Sequence, residues 1–391
     1  MNWKGKGQMA SCNDIDQLLP EDLIIEILSK LPVKSLIRAR AVCKNWYTII
    51  KNSSFVTKHF NHHTNNNSGR LFIYRVVKNT RKCIFSLFPD ETLAGTPPVH
   101  QDVVVDMPCY IRIVASPYNG ILCLFNRPSN SFAMWNPATR EFRALPVLSG
   151  NFPPNLVRCG EICGFGLDLI TNDYKVVWIW NTMSVFKGTS FGPYQVAVYT
   201  LSTDSWRYLD VVLPYSCIES PLSNTCINGV YHWCAMNNDN HPVILSFDMG
   251  TELFHEIRDI PSSRGALLAP YYNSYLALIL YDYSPIFDIW VMMEEGCWTK
   301  QFTVDLPAEF GWPLGFWKNG QLIIQNDDYG PVALYDPETH EIKDLGSQNC
   351  VDSLVNRESL VSIRGGDGFL EQDHLSDVNQ ILNFSKTAKA E

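Results

Sequence analysis

The sequence predicts an α plus all-β chain in two domains, a small three-helix module followed by a β-propeller of about six blades. Two observations predict it. Apolar residues recur at helical spacing between Leu19 and Ile50, and from about Gly69 short apolar runs punctuated by Gly, Pro, Asn and Asp carry a repeated aromatic hairpin. Composition agrees: of 391 residues 46% are hydrophobic and 12% aromatic, 18% are charged, and the aromatic load suits strands packed face to face. Against 31 Lys+Arg stand 40 Asp+Glu, a net charge of −9. That balance excludes nucleic acid as a default partner, because phosphate binding needs a cationic excess, and it favours basic protein partners.

Leu19-Pro20-Glu21-Asp22 reads as a helix start, since Pro suits the first turn and two carboxylates face the positive end of the dipole. Ile24, Ile27, Leu28 and Leu31 then lie at i, i+3, i+4 and i+7, and Pro32 stops the helix. A second helix is expected over Lys34 to Val42 and a third around Lys44 to Ile50, where Trp46, Ile49 and Ile50 share a face. For any one of these residues a place in the module's own core is the ordinary reading. As a set they are too many for three short helices to hide, because domains below roughly 40 residues need help from a metal, a disulfide or a partner.

The hairpin repeat aligns without gaps in four places, beginning at Trp135, Tyr199, Phe247 and Tyr335. Two or more turn formers follow each aromatic, a Thr stands four residues on, and a large apolar residue seven on: Phe142, Trp206, Phe254 and Ile342. A looser copy runs from Trp290 to Trp298. Starts at 135, 199, 247, 290 and 335 are 64, 48, 43 and 45 residues apart. Three of these intervals match one four-stranded, kelch-like blade of about 40 to 50 residues. Asn119-Gly120, Asn228-Gly229 and Asn319-Gly320 mark further tight turns, since both residue types tolerate positive φ. The long interval points to an inserted loop over Asn181 to Pro193, and Phe186, Lys187, Phe191 and the adjoining Tyr194 are the candidate substrate-binding residues. The expected organisation is a leader over 1–14, the helical domain over 15–60, a linker over 61–68 that holds His62-His63, the propeller over 69–365 and a tail over 366–391.

Leu19-Pro20-Glu21-Asp22-Leu23, Glu26 to Leu36 and Arg40-Ala41-Val42-Cys43-Lys44-Asn45-Trp46 together resemble the F-box motif in its plant form. Asn45 departs from the Arg found there in many members. The resemblance implies docking on a Skp-type adaptor, and through it a cullin, by Leu19, Pro20, Leu23, Ile27, Leu28, Leu31, Pro32, Leu36, Val42, Cys43 and Trp46. Cys163-Gly164-Phe165-Gly166-Leu167-Asp168, Asp173-Tyr174-Lys175-Val176-Val177, Asn136-Pro137-Ala138-Thr139-Arg140, Ser205-Trp206-Arg207, Phe247-Asp248-Met249 and Ile289-Trp290-Val291-Met292 look like the F-box-associated domain. The order of motifs is similar to S-locus F-box and S-locus F-box-like proteins. That likeness implies a non-catalytic substrate-recognition subunit of a ubiquitin ligase, with a non-self style ribonuclease (S-RNase) in pollen as one substrate and an unrelated plant protein as the alternative.

Chemistry within the chain itself has little support in the sequence. Propellers also host glycosidases and lectins, but Asp168, Asp204, Asp248 and Asp336 fall in or beside turns, where an Asp closes the local backbone. Twelve Cys and nine His include no Cys-x2-Cys pair, and no nucleophile elbow appears; Gly164-Phe165-Gly166 is too short for a dinucleotide fingerprint. No catalytic residue, metal or cofactor is therefore expected. The cysteines are scattered through apolar runs, the N-terminus lacks a signal-peptide core, and the longest apolar run, Tyr275 to Tyr281, is strand-sized. These features place the chain in the reducing cytoplasm or nucleus, away from membranes, with the sequons at Asn52, Asn66 and Asn383 unglycosylated.

Overall fold

The structure, a computed structural model, describes residues 19–65, 70–77, 82–88, 101–105, 107–108, 111–126, 129–148, 156–184, 193–219, 225–261, 263–272, 274–282, 286–307, 312–326, 330–347 and 350–363. Four helices open it, one more than the sequence predicts: α1 (Glu21–Ser29), α2 (Val33–Ala39), α3 (Lys44–Lys51) and α4 (Ser53–Asn65). Pro20 and Pro32 stand immediately before α1 and α2, where a missing N–H costs nothing. The Cys43 thiol caps α3 by accepting from Trp46 N at 3.4 Å. Asn52 turns the chain into α4, its Oδ1 accepting from Ser54 N at 2.8 Å. The fourth helix contributes Phe55 to a core of Ile24, Leu28, Val33, Leu36, Ala39, Ile49 and Ile50, and the buried His59 Nε2 lies 2.9 Å from Leu31 O. His62 and His63 thus belong to α4 and not to a linker.

Five four-stranded antiparallel blades follow in the expected order. They are β5–β8 (Ile111–Tyr118, Ile121–Asn126, Ser131–Asn136, Glu141–Ala144) and β9–β12 (Leu156–Asp168, Asp173–Ser184, Gln195–Thr200, Ser205–Leu209). Next come β13–β16 (Tyr215–Glu219, Val230–Asn237, Pro242–Asp248, Phe254–Ile257), β17–β20 (Gly265–Tyr271, Tyr275–Tyr281, Ile286–Glu294, Cys297–Asp305) and β21–β24 (Trp312–Phe316, Leu322–Gln325, Val332–Tyr335, Ile342–Ser347). The expected count of about six equivalent blades is corrected to these five regular ones. The remaining sheet is a five-stranded composite of β1 (Arg70–Val77), β2 (Lys82–Phe88), β3 (Gln101–Val105) and β4 (Met107–Pro108) with the late strand β25 (Cys350–Asn356). β25 pairs antiparallel with β1 and touches β5 and β21, so the two ends of the propeller are joined through hydrogen bonds of one sheet.

The sequence repeat is the hairpin between third and fourth strands. Trp135↔Phe142, Tyr199↔Trp206, Phe247↔Phe254 and Tyr335↔Ile342 are direct cross-strand partners. Arg140, Asp204, Glu252 and His340, five residues after each aromatic, all hold positive φ of 48–60° to finish the turn. The fifth copy differs from its expected alignment. Trp290 pairs with Lys300, while Trp298 faces Met292 across a shorter turn that uses Gly296 at φ 76°. Asn119-Gly120, Asn228-Gly229 and Asn319-Gly320 all adopt positive φ and all separate a first strand from a second.

Adjacent blades pack through close backbone approach. A Cβ at Gly164 would stand 2.7 Å from Trp233 Cζ2, and one at Gly166 would strike Cys226 Sγ. Gly164-Phe165-Gly166 therefore fits β9 against the next blade, with Phe165, Trp178, Tyr231 and Trp233 fully buried around it.

Candidate functional site

Two apolar faces divide α1. Leu28, 1% exposed, and Leu36, fully buried, lie inside the helical module, which removes both from the expected docking set. Leu31, Cys43 and Trp46 are half-buried. By contrast Leu23 is 50% exposed, Ile27 53% and Val42 53%, and Leu19, Pro20 and Pro32 are exposed with them. The stripe of Ile24, Ile27, Leu28 and Leu31 predicted for one side is thus split, with Ile27 turned outward beside Leu23. A charge cluster on this helix, Glu26 between Lys30 at 3.1 Å and Lys58 at 3.2 Å, ties α4 to α1.

The module is fastened to the propeller by the segment that follows β25. Asn136 Nδ2 donates to Val361 O at 2.8 Å and to Ser359 O at 3.1 Å, while its Oδ1 accepts from Ala138 N at 3.0 Å and Thr139 N at 3.3 Å. Arg143 Nη1 donates to Ile363 O at 3.2 Å, and Ile363 N donates to Glu141 Oε2 at 2.9 Å. Leu360, 2% exposed, enters the core of the helical module, and Ala138 packs beside it. Burial lowers the pKa of the Arg40 guanidinium, against the pull of Glu141 from the propeller side. Residue types explain the choice of Asn. The equivalent positions Asp248 and Asp336 make the same local turn through Oδ1, but only an amide can also donate to the two carbonyls of this strap. The Asn-Pro-x-Thr motif is visible in the sequence; its partners 223 and 225 residues further on are not.

The helical module therefore sits at the end of the β5–β8 blade that carries the Asn119-Gly120 and Asn136–Arg140 turns. The long β9–β12 blade leaves β10 at Ser184 and re-enters at Gln195, at the opposite end of its strands from the Asp168–Asn172 turn. Asn181 to Ser184 are strand and not loop, which shortens the expected insertion. Tyr194, 8% exposed, lies in the hydrophobic core and is corrected from a substrate contact to a packing residue. Phe186, Lys187 and Phe191, like the leader and the tail, lie outside the described residues.

Asp168, Asp248 and Asp336 each accept two backbone N–H groups through Oδ1, as turn-closing residues do. Asp204 Oδ1 accepts from Tyr199 Oη at 2.7 Å and pairs with Arg143 at 2.9 Å. Among the described residues no group of three or more His, Cys, Asp or Glu side chains could hold a metal ion, and no helix is long and apolar enough to cross a membrane. Cys43, Cys123, Cys159, Cys163, Cys217, Cys226, Cys234 and Cys297 are free thiols; burial pushes Cys226 and Cys234 up to about 12.

A helical module with an exposed apolar face, locked to the rim of a propeller, defines a two-part architecture. Comparison with known proteins names it. Residues 71–361 match the F-box associated beta propeller domain and residues 17–58 the F-box domain, and the chain belongs to the F-box proteins that carry this propeller. An F-box protein of Arabidopsis thaliana is 30% identical over 312 residues, covering 74% of this chain and 69% of its own. An F-box/kelch-repeat protein of the same plant is 25% identical over 88% of this chain and 95% of its own, and the Arabidopsis F-box protein CPR1 is 26% identical over 88% of each.

Proposed function

We propose that the chain is the substrate-recognition subunit of a Skp–cullin–F-box ubiquitin ligase, itself non-catalytic and resident in the cytoplasm or nucleus. The observation that carries this reading is the exposure of Leu23, Ile27 and Val42 on a module whose inner face is fully packed. With Leu19, Pro20 and Pro32 they form the adaptor-docking surface, while Leu31, Cys43 and Trp46 support it from the half-buried side. The propeller holds the protein to be modified, and the strap through Asn136 and Leu360 fixes it relative to the adaptor, which raises the effective concentration of substrate lysines at the bound conjugating enzyme. In this division the helical domain, expected over 15–60, runs through the end of α4 at Asn65, the propeller takes 69–365, and the strap is an extra tie between the two.

The finer reading is an S-locus role, with non-self S-RNase as substrate in pollen. Its support is the order of motifs and a net charge of −9, which favours a cationic partner. The alternative is another plant substrate on the same framework. Affinity capture of the full chain from pollen and from vegetative tissue, with a proteasome inhibitor present, tests both levels. Recovery of a Skp-type adaptor and cullin supports the ligase role, and their absence overturns it. A style ribonuclease in the pollen capture supports the S-locus reading; a different target alongside adaptor and cullin replaces it.

A further inference from the structure

A groove of about 780 Å3 runs along the outer part of the β17–β20 blade, beside the segment that joins it to the blade before. Its aromatic walls are Tyr281, Trp290 and Trp298, and its rim carries Asp259, Asp282 and Asp288. Among the described residues no Lys or Arg lines it, and Arg258 interacts with the charge of Asp259 from outside the groove. Asp288 is partly balanced by Lys300 Nζ at 2.8 Å and accepts from Thr303 Oγ1 at 2.7 Å. Asp282 accepts from two neutral donors, the Ser263 hydroxyl at 3.0 Å and Arg264 N at 3.2 Å. Trp298 Nε1 is shut off from solvent and has no hydrogen-bond partner among the described residues.

We propose that this groove is an arginine-binding site, which takes the guanidinium of a basic segment on a protein partner. Three features select that group. Indole faces attract a cation through their quadrupole, and a planar guanidinium can stack on them where a hydrated ammonium cannot. Carboxylates on the rim accept the forked N–H groups in charge-assisted hydrogen bonds. The volume is that of a small-ligand cleft, large enough for one side chain and the flanking backbone. Trp290 and Trp298 are partly buried, each packed on one side against the core of this blade, whereas Trp178 and Trp180 of the β9–β12 blade are fully buried. The inference deepens the proposed substrate-holding role of the propeller and rests on that reading for its biological use, but the binding chemistry stands by itself.

The test uses the full chain purified with its adaptor, and a short Gly/Ser peptide carrying two arginines, compared with lysine and citrulline versions. Tryptophan fluorescence and titration calorimetry read the affinity. The arginine peptide is expected to saturate, with the citrulline version bound about tenfold or more weakly and the lysine version several-fold more weakly. In the chain with Asp259→Asn and Asp282→Asn the arginine affinity should fall about tenfold, and Trp290→Leu gives a second variant that leaves the carboxylates in place. Equal binding of arginine and citrulline peptides, equal binding of arginine and lysine peptides, or no saturation with the arginine peptide overturns the proposal, and none of these results depends on a variant folding. Failure of peptide binding while the adaptor still co-purifies sinks the groove alone. Loss of the adaptor from the unaltered chain, with arginine binding intact, sinks the ligase reading alone.

Discussion

Lys175 Nζ lies 2.8 Å from Asp168 Oδ2, and this buried pair binds two blades together. The same ammonium is 2.8 Å from Glu252 Oε1 and donates to Met249 O at 2.7 Å, both in the next blade, while Arg207 also pairs with Glu252. Lys175 and Asp168 are nearly inaccessible to solvent. Lys175→Met should therefore cost about 3–5 kcal/mol, because it leaves two carboxylates without their shared cation. Denaturant unfolding of the purified chain measures it; a loss under 1 kcal/mol would show that the network is incidental.

Acid should weaken the fold in two windows. Burial alone favours the neutral form of Asp168, but hydrogen bonds from Lys175 and Thr171 and from the Ile170 backbone outweigh it and hold the carboxyl at about 2, against 3.8 for an ordinary one. The unfolded chain then takes up the proton first, so this contribution is complete above pH 3.8 and disappears as the pH falls towards 2. His232 adds an earlier step. Burial lowers its pKa from 6.5, its Nδ1 sits 2.9 Å from Thr225 O, and the folded state keeps it neutral, so stability declines once the pH drops below 6.5. A His232→Asn variant should show a flatter stability profile between pH 6.5 and 5 than the unaltered chain; an unchanged slope would remove His232 from the account.

Asn136→Asp separates turn from strap. The carboxylate can still accept from Ala138 and Thr139, yet it faces the Ser359 and Val361 carbonyls with no proton to donate. A destabilisation of about 2–4 kcal/mol is expected, whereas Asp248→Asn, where the side chain closes its own turn through Gly250 N and Thr251 N, should stay within about 1 kcal/mol. Equal effects at the two positions in thermal unfolding would contradict the role given to the strap.

Glycine at the blade junction is required by space and not by φ. Gly164→Ala should cost about 1–3 kcal/mol, because its methyl group meets the Trp233 ring and the Tyr231 ring behind it. Gly296→Asn, at φ 76° with nothing within 4 Å of an added Cβ, should change stability by less than about 1 kcal/mol. Matched denaturation curves of the two variants decide between crowding and backbone strain.

Local chemistry made much of this fold legible. The aromatic at 135, 199, 247 or 335 and its partner seven residues on are paired across one hairpin, so period and turn residues located them. The looser copy at Trp290 does not share this register, because its hairpin turns through Glu295-Gly296 in fewer residues. Leu28 and Ile27 are neighbours of similar hydrophobicity, and only the packing of α2 to α4 decides which one faces water; α4 begins at Ser53, just after Asn52, whose capping side chain is the available signal. The composite sheet, the Asn136 strap and the Lys175 bridge all depend on contacts between distant segments, which no periodicity records.

The docking claim is tested most directly by co-purification with a Skp-type adaptor. Leu23→Asp together with Ile27→Asp places two charges on the exposed face and none in the core, so adaptor should be lost while the melting profile of the chain is unchanged. Leu28→Ala, in the core, should instead cost about 2–5 kcal/mol of stability. Adaptor retained at full stoichiometry by the folded Leu23→Asp, Ile27→Asp chain would contradict the assignment of this face.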